Sequence, residues 1–129
     1  MSSSFSRSSK KRIQTDFHHE HSFEKRIEES TRILKKYPDR IPIIVQRIKN
    51  NTNIPDIDKK KYLVPNNLTL GQFIYIIKKR IKLKPDQAIF TFINNTIPPT
   101  SSLVSQLYNE QKDEDGFLYI EFSGENTFG

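Results

Sequence analysis

The fold of this chain depends on residues 69–81, whose sequence is TLGQFIYIIKKRI. Thr69 and Gln72 have the spacing of a capping box, in which each side chain bonds the backbone N–H of the other residue at the start of a helix. Tyr75 and Ile76 lie outside the apolar stripe of that helix, which therefore carries more apolar surface than one core needs. The stripe recurs at helical spacing and consists of Leu70, Phe73, Ile74, Ile77 and Ile81.

Short apolar runs on both sides of this helix predict β-strands. Residues 41–48 are rich in β-branched side chains and apolar on both faces, as in the central strand of a sheet. Residues 62–64 form a short run that ends at Pro65, which favours an edge position. After the helix, residues 88–93 and 117–122 predict two further strands.

Two more helices are predicted, and with the strands they indicate the fold class. Ser22 caps a helix that ends before Pro38 and carries an apolar stripe of Phe23, Ile27, Leu34 and Tyr37. A shorter helical turn carries Leu103, Val104, Leu107 and Tyr108. Two pairs of strands around a helix predict an α+β domain, with one sheet packed on the helix of residues 69–81. The strand order is left open, because periodicity does not determine it.

The composition restricts the class of function. At 129 residues and 15.2 kDa the chain has the length of one domain, with nine Phe and five Tyr for a core. It has no cysteine, which excludes disulfides, thiolate metal sites and a Cys nucleophile supplied by this chain. The apolar runs are far shorter than a bilayer crossing, and no apolar stretch follows the first basic residues, so neither a transmembrane helix nor a secretory signal is expected.

Lys and Arg outnumber Asp and Glu by 21 to 15, and much of the excess lies at the start of the chain. Residues 1–14 are rich in Ser and contain no acid, so we expect a disordered basic arm. It is either a solvating tail or a polybasic contact with anionic lipid or nucleic acid. A second basic run, residues 78–84, suits the negative end of a helix dipole. Because no aromatic residues alternate with these cations, nucleic-acid binding is not expected.

No pattern typical of an enzyme is found. The four glycines, at positions 71, 116, 124 and 129, do not cluster into a phosphate loop, and no serine lies in a nucleophile elbow. His18, His19 and His21 lie next to the arm, where we expect solvated side chains and no metal site. The densest carboxylates, Asp113 to Asp115, are expected in an exposed turn. We therefore predict no catalytic residue, no metal and no cofactor.

Three features instead indicate a binding module. The first is the surplus apolar surface at Tyr75 and Ile76. The second is the strand of residues 62–64, whose edge position leaves backbone N–H and C=O groups for a partner. The third is the end of the sequence, Phe128-Gly129, because a glycine has no Cβ and its carbonyl can enter a narrow enzyme channel.

Several segments closely resemble the autophagy-related protein 8 family of ubiquitin-like modifiers, which includes the GABARAP and light-chain-three types. They are residues 23–26, 36–42, 58–65, 68–73, 97–100 and 106–108. The similarity runs from about residue 17 to residue 129. It implies a non-enzymatic protein with a ubiquitin-like β-grasp fold and two additional N-terminal helices. With the disordered arm (1–14) expected from composition, it divides the chain into three parts, the other two being the ubiquitin-like domain (15–123) and a flexible conjugation tail (124–129).

The resemblance further implies that Gly129 is joined to phosphatidylethanolamine after passing as a thioester along an activating and a conjugating enzyme. Phe128 and Gly129 would be recognised by a cysteine protease that processes the chain and later releases it from the lipid. We expect the protein in the cytoplasm, and on autophagosomal or vesicle membranes when lipidated. Because the sequence ends at Gly129, this end is either encoded or already trimmed.

Two other classes of function stay open. One is a non-conjugated adaptor in vesicle trafficking or at an organelle, which would use the same binding surface. The other is a basic module that binds nucleic acid or microtubules through the arm and residues 78–84.

The resemblance also implies two pockets beside the strand of residues 61–64, which would bind receptors that carry aromatic-x-x-aliphatic motifs. The aromatic pocket would be lined by Glu29, Ile33, Pro42, Ile44, Lys61, Leu63 and Phe117. The aliphatic pocket would be lined by Tyr62, Val64, Pro65, Leu68, Phe73 and Ile76. The acidic residues that flank such motifs would meet Arg40, Lys59 and Arg80.

Overall fold

The computed structural model describes residues 15–50 and 53–125. The predicted arm (1–14), part of the loop before β2 and the last four residues, including Phe128 and Gly129, lie outside this part. Within it, no helix has the length and apolar character needed to cross a bilayer. The elements are α1 (Asp16–Glu20), α2 (Phe23–Lys36), β1 (Arg40–Arg47), β2 (Lys61–Pro65), α3 (Leu70–Arg80), β3 (Phe90–Phe92), α4 (Val104–Gln111) and β4 (Leu118–Ser123).

The four strands form one mixed sheet in the order β2-β1-β4-β3. β1 and β4 run parallel at the centre, with Ile43 opposite Leu118 and Val45 opposite Ile120. β2 pairs antiparallel with β1, and β3 pairs antiparallel with β4. The predicted α+β class, the central position of β1 and the edge position of β2 are confirmed.

Both faces of the two central strands are covered. Ile43, Leu118 and Ile120 lie on one face and pack with Phe73 and Ile77 of α3, all five without exposed surface. The opposite face carries a second cluster, which contains Phe17 of α1, Ile44, Phe117 and Tyr119, with Ile33 of α2 packed against it. The alternation of side chains along a strand therefore sends neighbouring residues into different cores.

The start of α3 is the capping box that the sequence predicts. The Thr69 Oγ1 accepts from the Gln72 backbone N–H at 3.2 Å, and the Thr69 N–H donates to the Gln72 Oε1 at 2.9 Å. Leu70, Phe73 and Ile77 of the predicted stripe are buried. This helix is therefore fixed both by its cap and by its apolar face.

The bounds predicted for α2 are confirmed, but its buried face is not the predicted one. Ser22 caps the helix by accepting from the Lys25 N–H, and the helix ends before Pro38. Phe23 and Tyr37 of the predicted stripe are 42% and 39% exposed, whereas Arg26 and Ser30 are buried. A polar pair is buried here because α2 packs on a chain reversal that presents polar groups.

That reversal contains Asp115, and the expectation of an exposed turn is wrong for this residue, although Glu114 beside it is exposed. Asp115 has no exposed surface. Its Oδ2 accepts from the Tyr119 hydroxyl and lies 3.3 Å from the Arg26 Nη1, and its Oδ1 accepts from the Phe117 N–H at 2.9 Å. The Ser30 hydroxyl donates to the Asp115 backbone carbonyl. We name this cluster the polar node; it consists of Arg26, Ser30, Asp115 and Tyr119.

The expectation of solvated histidines is wrong for His18. Its side chain is 3% exposed, and its ring stacks on Tyr119 with 4.1 Å between centroids. The His18 Nδ1 accepts from the Thr15 N–H at 2.9 Å and so caps α1, a helix that the residue spacing did not predict. Atoms of His18, Asp113 and Asp115 lie within 4.8 Å of one another, as metal ligands do. Asp115 already accepts hydrogen bonds from Arg26 and Tyr119, so we interpret this cluster as part of the folded structure and not as a metal site.

We predict that Asp115→Ala lowers the free energy of unfolding by about 3–5 kcal/mol, because it leaves the Arg26 charge and the Tyr119 hydroxyl buried without their acceptor. Urea denaturation followed by circular dichroism measures this change. Asp86→Ala, at an exposed position, is the matched control and should change stability by less than about 0.5 kcal/mol. Equal effects of the two substitutions would contradict a structural role for the polar node.

Candidate functional site

The outer edge of β2 presents backbone groups that the sheet does not use. The Val45 N–H donates to the Lys60 carbonyl at 2.7 Å, and the register continues through Ile43 opposite Tyr62. Bonded and non-bonded pairs alternate in an antiparallel ladder, so the N–H and C=O groups of Lys61 and Leu63 point away from β1. Within the described residues, no strand pairs with this side of β2.

Pro42 lies in the central strand without breaking the ladder with β2. It is opposite Leu63, in a pair that exchanges no hydrogen bonds, so its missing N–H costs no bond to β2. The pairing of β1 with β4 begins one residue later, at Ile43. The position of this proline is therefore compatible with the strand pairing on both sides.

The side chains of β2 alternate between two sides of the sheet. Tyr62 and Val64 point towards α3, where the Tyr62 ring meets Phe73 edge-on with 5.5 Å between centroids. Lys61 and Leu63 point towards α2, where the Lys61 ammonium forms an ion pair with Glu29. The edge strand thus separates an α3 side from an α2 side.

A cavity of about 490 Å³ lies on the α3 side of β2, and we name it the groove cavity. It is lined by Lys59, Tyr62, Leu63, Val64, Pro65, Tyr75, Ile76, Lys79 and Arg80. Tyr75 and Ile76 are 62% and 37% exposed, so the surplus apolar surface predicted for α3 is confirmed and faces this cavity. None of the lining residues is acidic, which gives the groove cavity an apolar floor with a positive rim.

The cations of this rim are held by local contacts. The Arg80 Nε and Nη2 donate to the two carboxylate oxygens of Asp58, at 2.8 and 3.1 Å. The Arg80 guanidinium lowers the pKa of the Asp58 carboxyl below its ordinary value. The Lys59 ammonium lies 5.0 Å from the centre of the Tyr62 ring. An anionic ligand of Arg80 therefore has to compete with Asp58.

With this geometry established, comparisons with known proteins identify the family. The family described as "Autophagy protein Atg8 ubiquitin like" matches residues 25–129. The chain is 59% identical to Autophagy-related protein 8d of Arabidopsis thaliana over 115 residues, which is 89% of this chain and 95% of the relative. The chain belongs to the Atg8 family. It is thus a ubiquitin-like protein of autophagy.

Other relatives agree with this assignment. Autophagy-related protein 8 of Mycosarcoma maydis is 59% identical over 117 residues, covering 91% of this chain and 98% of the relative. The crystal structure of Trypanosoma brucei ATG8 superposes with a TM-score of 0.82 at 39% identity, covering 91% of this chain and all of that one. The ubiquitin-like fold expected from the resemblance is confirmed.

The structure brings together most of the residues that the resemblance implies for the aliphatic pocket. Tyr62, Val64, Pro65 and Ile76 line the groove cavity, as do Lys59 and Arg80 of the expected basic rim. Phe73 lies beneath them without exposed surface, and Leu68 is half-buried against the core. Leu63, which was expected in the aromatic pocket, also lines this cavity, as do Tyr75 and Lys79, which were expected in neither pocket. The position of Tyr75 off the apolar stripe was the available signal.

The residues expected for the aromatic pocket lie on the α2 side. Ile33 packs against the cluster that contains Ile44 and Phe117, both of which are buried. Glu29 and Lys61 form an ion pair above it. Pro42 is buried opposite Leu63, and Arg40 is exposed opposite Pro65 at the start of β1.

We predict that Arg80→Gln raises the pKa of the Asp58 carboxyl towards its ordinary value of 3.8. The neutral amide no longer favours the carboxylate. A titration of side-chain carboxyl signals by NMR measures this change. Lys79→Gln removes one charge from the same helix without touching Asp58, and it should leave the pKa of Asp58 lowered. A pKa of Asp58 that is the same in Arg80→Gln and in the parent protein would show that the ion pair does not form in solution.

Proposed function

We propose that this Atg8-family protein docks receptor peptides on the outer edge of β2 and is carried to membranes by a lipid joined to Gly129. The peptide is an extended segment with an aromatic-x-x-aliphatic motif. It adds a strand beside β2 by bonding the outward backbone groups of Lys61 and Leu63. The two named side chains of the motif supply the specificity.

One observation carries the docking proposal, namely the two faces of the β2 edge. Side chains alternate along a strand, so residues that are three positions apart point to opposite faces. The aromatic and aliphatic residues of the motif have this spacing. The β2 edge has the groove cavity on its α3 side and the Ile33 cluster on its α2 side. An added strand therefore places one motif side chain on each side.

The charges of the site support the same occupant. The groove cavity is lined by Lys59, Lys79 and Arg80 and by no acid, which favours acidic residues beside the motif. A short peptide that buries two side chains should bind in the micromolar range, roughly −8 kcal/mol.

We predict that Leu63→Ala and Ile76→Ala each weaken binding of a peptide with a tryptophan-x-x-leucine core by about tenfold or more, because each removes apolar contact area at one face of the edge. Isothermal titration calorimetry measures the dissociation constant. Leu103→Ala and Ile97→Ala are the matched controls, since both residues are exposed, at 42% and 43%, and do not line the groove cavity. Full-strength binding by Leu63→Ala and Ile76→Ala would refute the assignment of the docking site.

The lipid proposal rests on family membership and on the residues at the end of the sequence. A glycine has no side chain to obstruct an enzyme channel, and the chain has no cysteine of its own, so the thiols for a thioester relay come from an activating and a conjugating enzyme. Phosphatidylethanolamine brings two acyl chains, and each buried CH₂ contributes about 0.8 kcal/mol. Two chains anchor a protein stably, and a cysteine protease that cuts the amide releases it again.

We predict that Gly129→Ala removes the protein from the membrane fraction of starved cells, because the conjugation enzymes no longer accept its C-terminus. Mass spectrometry of the C-terminal peptide should find phosphatidylethanolamine on Gly129 in the parent protein and none in the variant. Asn126→Ala alters the same tail without changing its last residue and should remain lipidated. An unchanged location of Gly129→Ala would instead favour a non-conjugated adaptor.

A further inference from the structure

A second cavity, of about 350 Å³, lies at the C-terminal end of α3, and we name it the helix-end cavity. It is lined by Tyr75, Lys78, Lys79, Leu83 and Pro85. Tyr75 and Lys79 also line the groove cavity, so the two spaces share a wall. A ligand that leaves the groove cavity along α3 reaches the helix-end cavity next.

The walls of the helix-end cavity are set by the way α3 ends. The Lys82 N–H donates to the Lys79 carbonyl at 3.2 Å, and the Leu83 N–H donates to the Lys78 carbonyl at 2.9 Å. These two bonds are the Schellman motif, and Lys82 takes the left-handed conformation at φ 58° that the motif requires. The chain therefore turns back beside α3 and brings Leu83 and Pro85 next to its last turn.

Two further contacts hold this arrangement. Leu83 is half-buried and packs against the core cluster beneath α3. The Lys78 ammonium donates to the Pro85 carbonyl at 3.2 Å, across the cavity wall. The cavity is thus a feature of the folded helix end.

The chemistry of the lining indicates the kind of ligand. Tyr75, Leu83 and Pro85 supply apolar surface, Lys78 and Lys79 supply positive charge, and no lining residue is acidic. The Lys79 ammonium lies 5.4 Å from the centre of the Tyr75 ring, so cation and aromatic surface are adjacent. This combination fits an acidic segment that carries one apolar side chain.

We propose that the helix-end cavity binds the acidic segment that follows the docking motif in the same receptor peptide. This inference rests on the proposed docking function. The aliphatic residue is the last of the motif, and the groove cavity is its proposed place. The residues directly after it are therefore the ones that reach the shared wall of Tyr75 and Lys79. Cations beside an exposed aromatic ring also suit an anionic membrane, but a concave space fits a side chain better than a flat lipid surface.

The test compares three peptides on the full chain. The first is a tryptophan-x-x-leucine core, the second is this core followed by an acidic segment with one leucine, and the third has serine in place of that last leucine. On the parent protein we expect the second peptide to bind about fivefold more tightly than the first. The third peptide should lose most of the gain, because it offers nothing to the apolar walls.

Two charge-reversal substitutions distinguish binding in the helix-end cavity from a general attraction of the acidic peptide to the basic surface. Lys78→Glu should remove the gain of the second peptide, whereas Lys84→Glu, an equal charge change outside the cavity lining, should retain it. Both variants should bind the core peptide as tightly as the parent protein does. The docking proposal is tested separately, because it is wrong if the parent protein does not bind the core peptide. A gain that is absent on the parent protein, or lost equally in both variants, would overturn the helix-end assignment.

A vesicle-binding experiment completes the test. Sedimentation with vesicles of equal parts phosphatidylcholine and phosphatidylserine should not depend on Lys78 more than on Lys84. If Lys78→Glu alone abolishes vesicle binding while the three peptides bind alike, the cavity is a lipid contact and the peptide assignment is wrong.

Discussion

The parallel pairing of β1 with β4 is the constraint on which the rest of the structure depends. A parallel pair is stable when both of its faces are covered, and here Ile43 and Ile44 are neighbours that enter opposite cores with 0% and 1% of their surface exposed. α3 covers one face of the pair, and α1 and α2 cover the other. With the central positions taken in this way, β2 and β3 are the edges of the sheet.

Covering the second face also buries the chain reversal that leads into β4. Its polar groups lose water and have to find partners within the protein. Arg26, Ser30 and Tyr119 supply these partners for Asp115. Burial raises the pKa of the Asp115 carboxyl, against the opposing effect of its hydrogen bonds. Burial and the hydrogen bond to Asp115 also raise the pKa of the Tyr119 hydroxyl.

The proposed docking site uses what this packing leaves over. β2 gives Tyr62 and Val64 to the core and keeps the outward backbone groups of Lys61 and Leu63 for a partner. The same helix, α3, buries Phe73 and exposes Tyr75 and Ile76. Its Schellman turn then adds the helix-end cavity beside the groove cavity, so that one helix provides the core, the groove wall and a cationic extension of the groove.

Apart from α1, the local elements of this protein were determined by the sequence itself, because their signals are local. The Thr69–Gln72 cap, the β-branched run of β1 and the stop at Pro65 each act within a few residues, and the motifs indicated the family. Only the tertiary structure decided the strand order, the burial of Asp115 and His18, and the exposure of Phe23. These depend on which distant surfaces meet, as when Asp115 meets Arg26 from 89 positions away. A polar side chain is buried where the fold supplies its hydrogen-bond partners, and the spacing of residues along the chain does not show which partners those are.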